Sequence, residues 1–263
     1  MPGAVDTHAH VFLREDASAP EAAYRPAYEA RAQDWLAELD RHGLTHGVLV
    51  QVSFLGTDNA RLLAALQASG GRLRGVVQAG ADTPAATLRA WDAAGVRGVR
   101  WNLVHFDAAR RPDPSRAEWR AFLRRIADLG WHLELHDRAP ALAALLERLD
   151  DCPAAVVVDH FAGSPEGIDA VARFAERHAV YVKLSAPYRI SGMTAEDAAR
   201  RLRGTLGDER LLWGSDWPFT RHEHEAGFAA MRTALDAWVP DAAARRRILW
   251  DAPARLFGLR EPF

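Results

Sequence analysis

The chain is almost without cysteine and lysine: Cys152 and Lys183 are the single representatives of their types in 263 residues. One cysteine excludes an intrachain disulfide, a thiolate metal cluster and a redox pair. The shortage of lysine leaves arginine to make up nearly all of the 33 basic residues, and with abundant alanine it reflects coding bias, not a function. Lys183 itself, within VKLS, is read as structural, salt-bridged or reaching past a strand end. A surplus of one charge is lacking too. The formal net charge is -2, which gives no reason to expect nucleic acid or an anionic membrane as partner. No apolar run approaches the roughly 18 residues of a membrane span. The opening MPGAVDTHAHVF has no basic region followed by a long apolar stretch, so no signal peptide is expected and the cytoplasm is the default location.

What the chain has is rhythm. Eight short apolar runs with β-branched or aromatic content recur: 4–12, 45–53, 74–80, 96–103, 132–137, 154–162, 180–186 and 211–218. Between them lie amphipathic stretches such as AQDWLAELDRHG, SRAEWRAFLRRIADLG and GIDAVARFAERH. Several end in glycine (Gly43, Gly70, Gly130), as helices do. Strands alternating with helices imply parallel pairing through right-handed crossovers. Eight such units in a length close to the barrel norm of about 250 residues predict one α/β domain over 1–263, a (β/α)8 TIM barrel. An open doubly wound sheet would want a glycine-rich loop after the first strand, and VFLRED follows instead. Residues 12–33 form a long first βα loop, the kind of connection that makes lids and binding walls.

Chemistry-bearing residues gather at the ends of these runs. Asp6, His8 and His10 alternate along the first, which predicts a shared face. His136 ends the fifth run, with Glu134 and His132 on its face, His160 ends VVVDH in the sixth, and Asp216 sits in WGSDWP in the eighth. A barrel enzyme collects its active site at the C-terminal ends of several strands. Two imidazoles one residue apart can reach one ion, and four strands each delivering a His or Asp make a site more economical than coincidence.

In these residues the chain resembles the amidohydrolase superfamily, and within it the amidohydrolase-2 group that contains pyrone-dicarboxylate, muconolactone and sugar lactonases. QVSFLGTDN (51–59), RGVRWN (97–102), VDHFAG (158–163), YVKLSAPYRIS (181–191) and WGSDWP (213–218) carry the resemblance over nearly the whole chain. The resemblance implies one divalent metal, zinc or manganese, on His8, His10, His136 and Asp216, with Asp216 and His160 catalytic. It also implies that Arg100, Arg189 and Ser53 contact a carboxylated substrate, and Trp217 beside Asp216 is a candidate wall of the same site. Two departures stand out from the pyrone-dicarboxylate lactonase pattern. Phe106 replaces a second arginine, and His136 replaces a tyrosine of an enzyme that works without metal. One anion clamp is lost and one ligand gained, so a substrate with a single carboxylate and a bound metal are expected, with metal-free catalysis as the other course.

The implied reaction is hydrolysis of a lactone or related ester of a small carboxylated molecule. A decarboxylase acting on an aromatic or muconate-type acid is the alternative enzyme. It is disfavoured because no glutamate lies within VDTHAHVF. A non-catalytic small-molecule-binding protein on the same scaffold is the alternative of another class.

Overall fold

The computed structural model describes residues 3–20, 22, 24–105 and 111–261. Eight strands follow one another around one sheet: β1 (Val5–Ala9), β2 (His46–Val50), β3 (Leu73–Val77), β4 (Val96–Asn102), β5 (His132–His136), β6 (Val156–Val158), β7 (Val180–Leu184) and β8 (Leu211–Trp213). Each pairs in parallel with the next, in the order β1 to β8. The seam between β8 and β1 is closed by the His10 amide donating to the Trp217 carbonyl, the Asp216 amide to the His8 carbonyl and the Thr7 hydroxyl to the Trp213 carbonyl. The fold is a (β/α)8 barrel, as the alternating pattern predicts.

Helices α1 (Ala32–Arg41), α2 (Ala60–Ala68), α3 (Ala85–Ala93), α4 (Ala117–Asp128), α5 (Ala139–Arg148), α6 (Pro165–Ala175), α7 (Ala195–Leu206) and α8 (Phe228–Trp238) form the outer ring. Their apolar faces pack on the outward residues of the strands. Phe122 and Ile126 of α4 and Leu142 and Leu146 of α5 are examples, burying against Leu133 and Leu135 in the same cluster. The start of α6 is fixed by Ser164, whose hydroxyl accepts the Gly167 amide, and that of α7 by Thr194, which accepts the Asp197 amide. Gly130, just past α4, adopts φ +71°, a conformation costly for any residue with a Cβ.

Short helices α9 (Ala242–Arg246) and α10 (Ala252–Phe257) close the N-terminal end of the barrel. Trp250 and Phe257 pack there against Val5, Val48, Val50, Val76, Val157 and Leu212. With that end plugged by hydrocarbon, access to the interior is from the C-terminal rim. Among the described residues, no helix is long and apolar enough to cross a membrane.

Candidate active site

β1 delivers two candidate ligands, but not by plain alternation. Its register against β2 slips between Asp6 and Ala9, so Asp6 and His8 end on opposite sides of the barrel wall. The shared face expected for Asp6, His8 and His10 is therefore corrected: the slip turns Asp6 outward. Its carboxylate accepts from the Trp35 indole on α1 (2.9 Å), the Ser215 amide (2.8 Å) and the Ser215 hydroxyl (2.6 Å), tying β1 to α1 and to the end of β8. Burial pushes the Asp6 carboxyl up to about 6, against the pull of those hydrogen bonds. Gly214 permits the close approach of the two strand ends: a Cβ there would lie 2.5 Å from that of His8.

Inside the rim, four imidazoles form an arc. The His10 and His8 rings are 4.9 Å apart, His8 and His160 4.9 Å, and His160 and His136 4.7 Å. Asp216 faces the first two, its Oδ1 lying 3.6 Å from Nε2 of His8 and 3.5 Å from Nε2 of His10. The ligand atoms of His8, His10 and Asp216 all fall within 4.8 Å of one another. A second such group among the described residues is His8, Asp159 and His160, and His136 is in neither. The expected four-residue set thus comes together as three, with His160 standing between His8 and His136.

The three fit a divalent ion. Two ligands about 2.1 Å from a tetrahedral ion lie about 3.4 Å apart, near the separations found here. His10 donates Nδ1–H to the Val50 carbonyl at 2.7 Å, which leaves its Nε2 lone pair free. Nδ1 of His8 lies 3.3 Å from Oδ1 of Asp159; among the described residues that oxygen has no hydrogen-bond partner, and neither has the buried Nε2 of His8. Such outer contacts orient ligating histidines. Burial and the nearby Lys183 charge push His8 down to about 3, so its ring is neutral, as a ligand must be. Asp216 is held well below the usual carboxylate range. Burial opposes this, but the charge of Arg189 and the adjacent imidazoles of His160, His10 and His8 outweigh it.

Beneath the arc lies a layer of buried charge. Lys183 is wholly buried inside the barrel, 2.6 Å from Oε2 of Glu134 and 3.1 Å from Nδ1 of His8. Arg100 turns Nε and Nη2 to one oxygen of Asp159, at 3.2 and 3.0 Å, and Nη1 to the Gln51 carbonyl. Two cations thus meet two carboxylates, the arrangement that makes burial of each tolerable.

Above the arc opens a cavity of about 1000 Å³, lined among others by His10, Ser53, Arg100, His136, His160, Arg189 and Asp216. Of the expected site residues, only half-buried Trp217 and fully buried His8 are absent from its wall. The Trp217 ring packs instead against the apolar cluster of Phe12, Val52 and Phe54. Arg189 donates Nε and Nη2 to Oδ2 of Asp216, both at 3.3 Å, and Nη2 to the Thr220 carbonyl. Phe106, the site of the lost clamp, lies outside the described residues. Sequence reasoning passed over Tyr188, whose hydroxyl donates to Oδ2 of Asp216 at 2.7 Å. Its one signal was its place beside Arg189 in YVKLSAPYRIS. The wall also includes Tyr24 from the first loop, His105, Arg138, Arg221 and His222.

The family model described as Amidohydrolase matches residues 5–259. A 2-pyrone-4,6-dicarboxylate hydrolase from Comamonas testosteroni is 34% identical over 97% of this chain and 90% of its own length. A 4-sulfomuconolactone hydrolase from Rhizobium radiobacter is 31% identical over 98% and 90%. The crystal structure of a probable 2-pyrone-4,6-dicarboxylic acid hydrolase from Acinetobacter baumannii with citric acid bound superposes with a TM-score of 0.90. It is 34% identical, over 98% of this chain and all of that one.

Proposed function

The chain belongs to the amidohydrolase family, and we propose that it is a lactonase working as one catalytic unit, opening the ring of a small carboxylated lactone by addition of water. The observation that carries this reading is the convergence of His10, His160 and Asp216 on the wall of one cavity, with His8 buried directly against them. Two hydrolases of ring lactones, each more than 30% identical over nearly the full chain, support it.

Asp216 takes the proton of the attacking water on Oδ1, the oxygen facing His8 and His10, while Tyr188 and Arg189 hold the other. The water oxygen bonds to the ring carbonyl carbon, the carbon–oxygen bond of the ring breaks, and the proton passes from Asp216 to the leaving oxygen. With the Ser185 hydroxyl donating to its Nδ1 (2.9 Å), neutral His160 presents Nε2–H to the developing oxyanion. One such donor contributes a few kcal/mol to the transition state, roughly 3 kcal/mol. His8, His10 and Asp216 would hold a divalent ion of the zinc or manganese kind, which would supply Lewis acidity toward the ring carbonyl. Arg189, whose Nη1 has no partner among the described residues, and Ser53 orient the substrate carboxylate, and Arg100 adds its charge at the cavity floor.

The test is Asp216→Asn on a panel of carboxylated lactones. Loss of at least about a thousandfold in kcat is expected, the scale of removing a catalytic proton carrier. Undiminished ring opening would overturn the role of Asp216, and release of carbon dioxide without ring opening would assign the chain to decarboxylation.

A further inference from the structure

The cations expected to clamp substrate are largely engaged by the protein's own acids, Arg100 by Asp159 and Arg189 by Asp216. Two other guanidiniums on the cavity wall are not. Arg138 follows β5, two residues beyond His136, and Arg221 follows β8, five beyond Asp216. Among the described residues, neither side chain has a hydrogen-bond or ion-pair partner. Neighbouring acids are directed elsewhere: Asp137 pairs with Arg111, and Glu223 accepts the Tyr28 hydroxyl and the Arg221 amide on Oε1.

The two arginines come from different loops yet converge. His105, on the same wall, is pushed below the usual histidine range by burial and then by the charges of Arg221, Arg138 and Arg189. Arg221 is held in the left-handed region (φ +72°), with its guanidinium 5.4 Å from the centre of the Tyr24 ring. A non-glycine residue pays to stand there, and such conformations concentrate where a side chain must be aimed. Planar guanidiniums beside a cavity, paired with no acid among the described residues, suit a carboxylate or sulfonate.

We propose that Arg138 and Arg221 form a second anion subsite at the cavity mouth, so that the substrate carries two acidic groups, one near Arg189 and one at the rim. This rests on the lactonase reading and reverses the expectation, drawn from the loss of an arginine at Phe106, of a substrate with one carboxylate. The rim pair restores from other loops the charge missing at that position.

The test compares calorimetric binding of benzene-1,3-dicarboxylate and benzoate to the full chain at low ionic strength, for the wild type and for Arg138→Gln, Arg221→Gln and the double variant. The wild type is expected to bind the dicarboxylate at least about tenfold more tightly than benzoate, the equivalent of one charge-assisted contact. The double variant removes that preference while leaving benzoate binding and thermal unfolding unchanged. An unchanged preference in the double variant, or no binding of either probe, overturns the subsite. Binding that behaves as expected in a protein that opens no lactone keeps the subsite and overturns the reaction. Ring opening with variants indifferent to the second acid does the reverse.

Discussion

Tyr188 and Asp216 are joined by a 2.7 Å hydrogen bond from the phenol to Oδ2, the oxygen turned away from the histidines. With Arg189 on the same oxygen, the carboxylate is anchored on one side and left bare on the other. One residue thus presents a single oxygen to the cavity floor, with its orientation fixed.

Arg189 is the leading charge that keeps the Asp216 carboxyl low against the effect of burial. In Arg189→Gln the acid limb of the kcat profile should move to higher pH, because the ionised form loses its main support. kcat should fall by about 10- to 100-fold, the range for losing a hydrogen bond to a charged group. Tyr188→Phe should lower kcat less and leave KM nearly unchanged. Rate profiles from pH 4 to 9 check both, and an acid limb that stays in place in Arg189→Gln would contradict the assignment.

Metal content separates the histidines. His10→Ala removes one of the three grouped ligands and should bring elemental zinc or manganese from about one equivalent to a small fraction. His136→Gln, outside both groups, should retain the metal. Equal loss in the two variants would return His136 to the ligand set. Chelation of the wild type should abolish ring opening, and re-addition of the ion should restore it.

Asp6 gives stability a pH dependence of its own. Its folded value of about 6 stands above the ordinary 3.8, so its contribution is fully present below pH 3.8 and is lost as pH rises through 6. The stability difference between wild type and Asp6→Ala, from urea unfolding, should therefore shrink by on the order of 3 kcal/mol between pH 4 and 7. A difference that grew over that interval would be incompatible with a buried, reluctant carboxyl.

Gly214→Ala should push the end of β8 away from β1, since the new Cβ would meet the His8 backbone nitrogen at 3.0 Å as well as its Cβ. A loss of about 1–3 kcal/mol is expected, together with a fall in activity, because His8 is the residue displaced. Unfolding and turnover measured on the same sample test this directly.

Much of this was legible beforehand because period and punctuation are local. The run at 132–137 contains β5 and that at 180–186 contains β7; His136 ends its strand, while His160 and Asp216 stand two and three residues past the ends of β6 and β8. What escaped depends on distant partners. A one-residue slip in β1 has no signature in DTHAH, yet it decides that Asp6 serves Trp35, not the cavity. Arg100 reads as a substrate clamp or a rim salt bridge, and the choice waits until Asp159, 59 positions on, is seen against it. Arg221 in TRHEHE reads equally as a pocket-mouth residue or part of a solvated loop, and only the closed barrel sets it on the same wall as Arg138.

The neutral quartet of Lys183, Glu134, Arg100 and Asp159 bears on how such a protein can change over time. Replacing one member alone strands a buried partner, at a cost of about 3–5 kcal/mol, a large share of what a domain has to spare. These four positions can therefore drift only in concert, and they behave as a single inherited unit. The exposed rim arginines carry no such debt and can be exchanged one at a time, so new specificities should arise from the loops while the floor stays as it was.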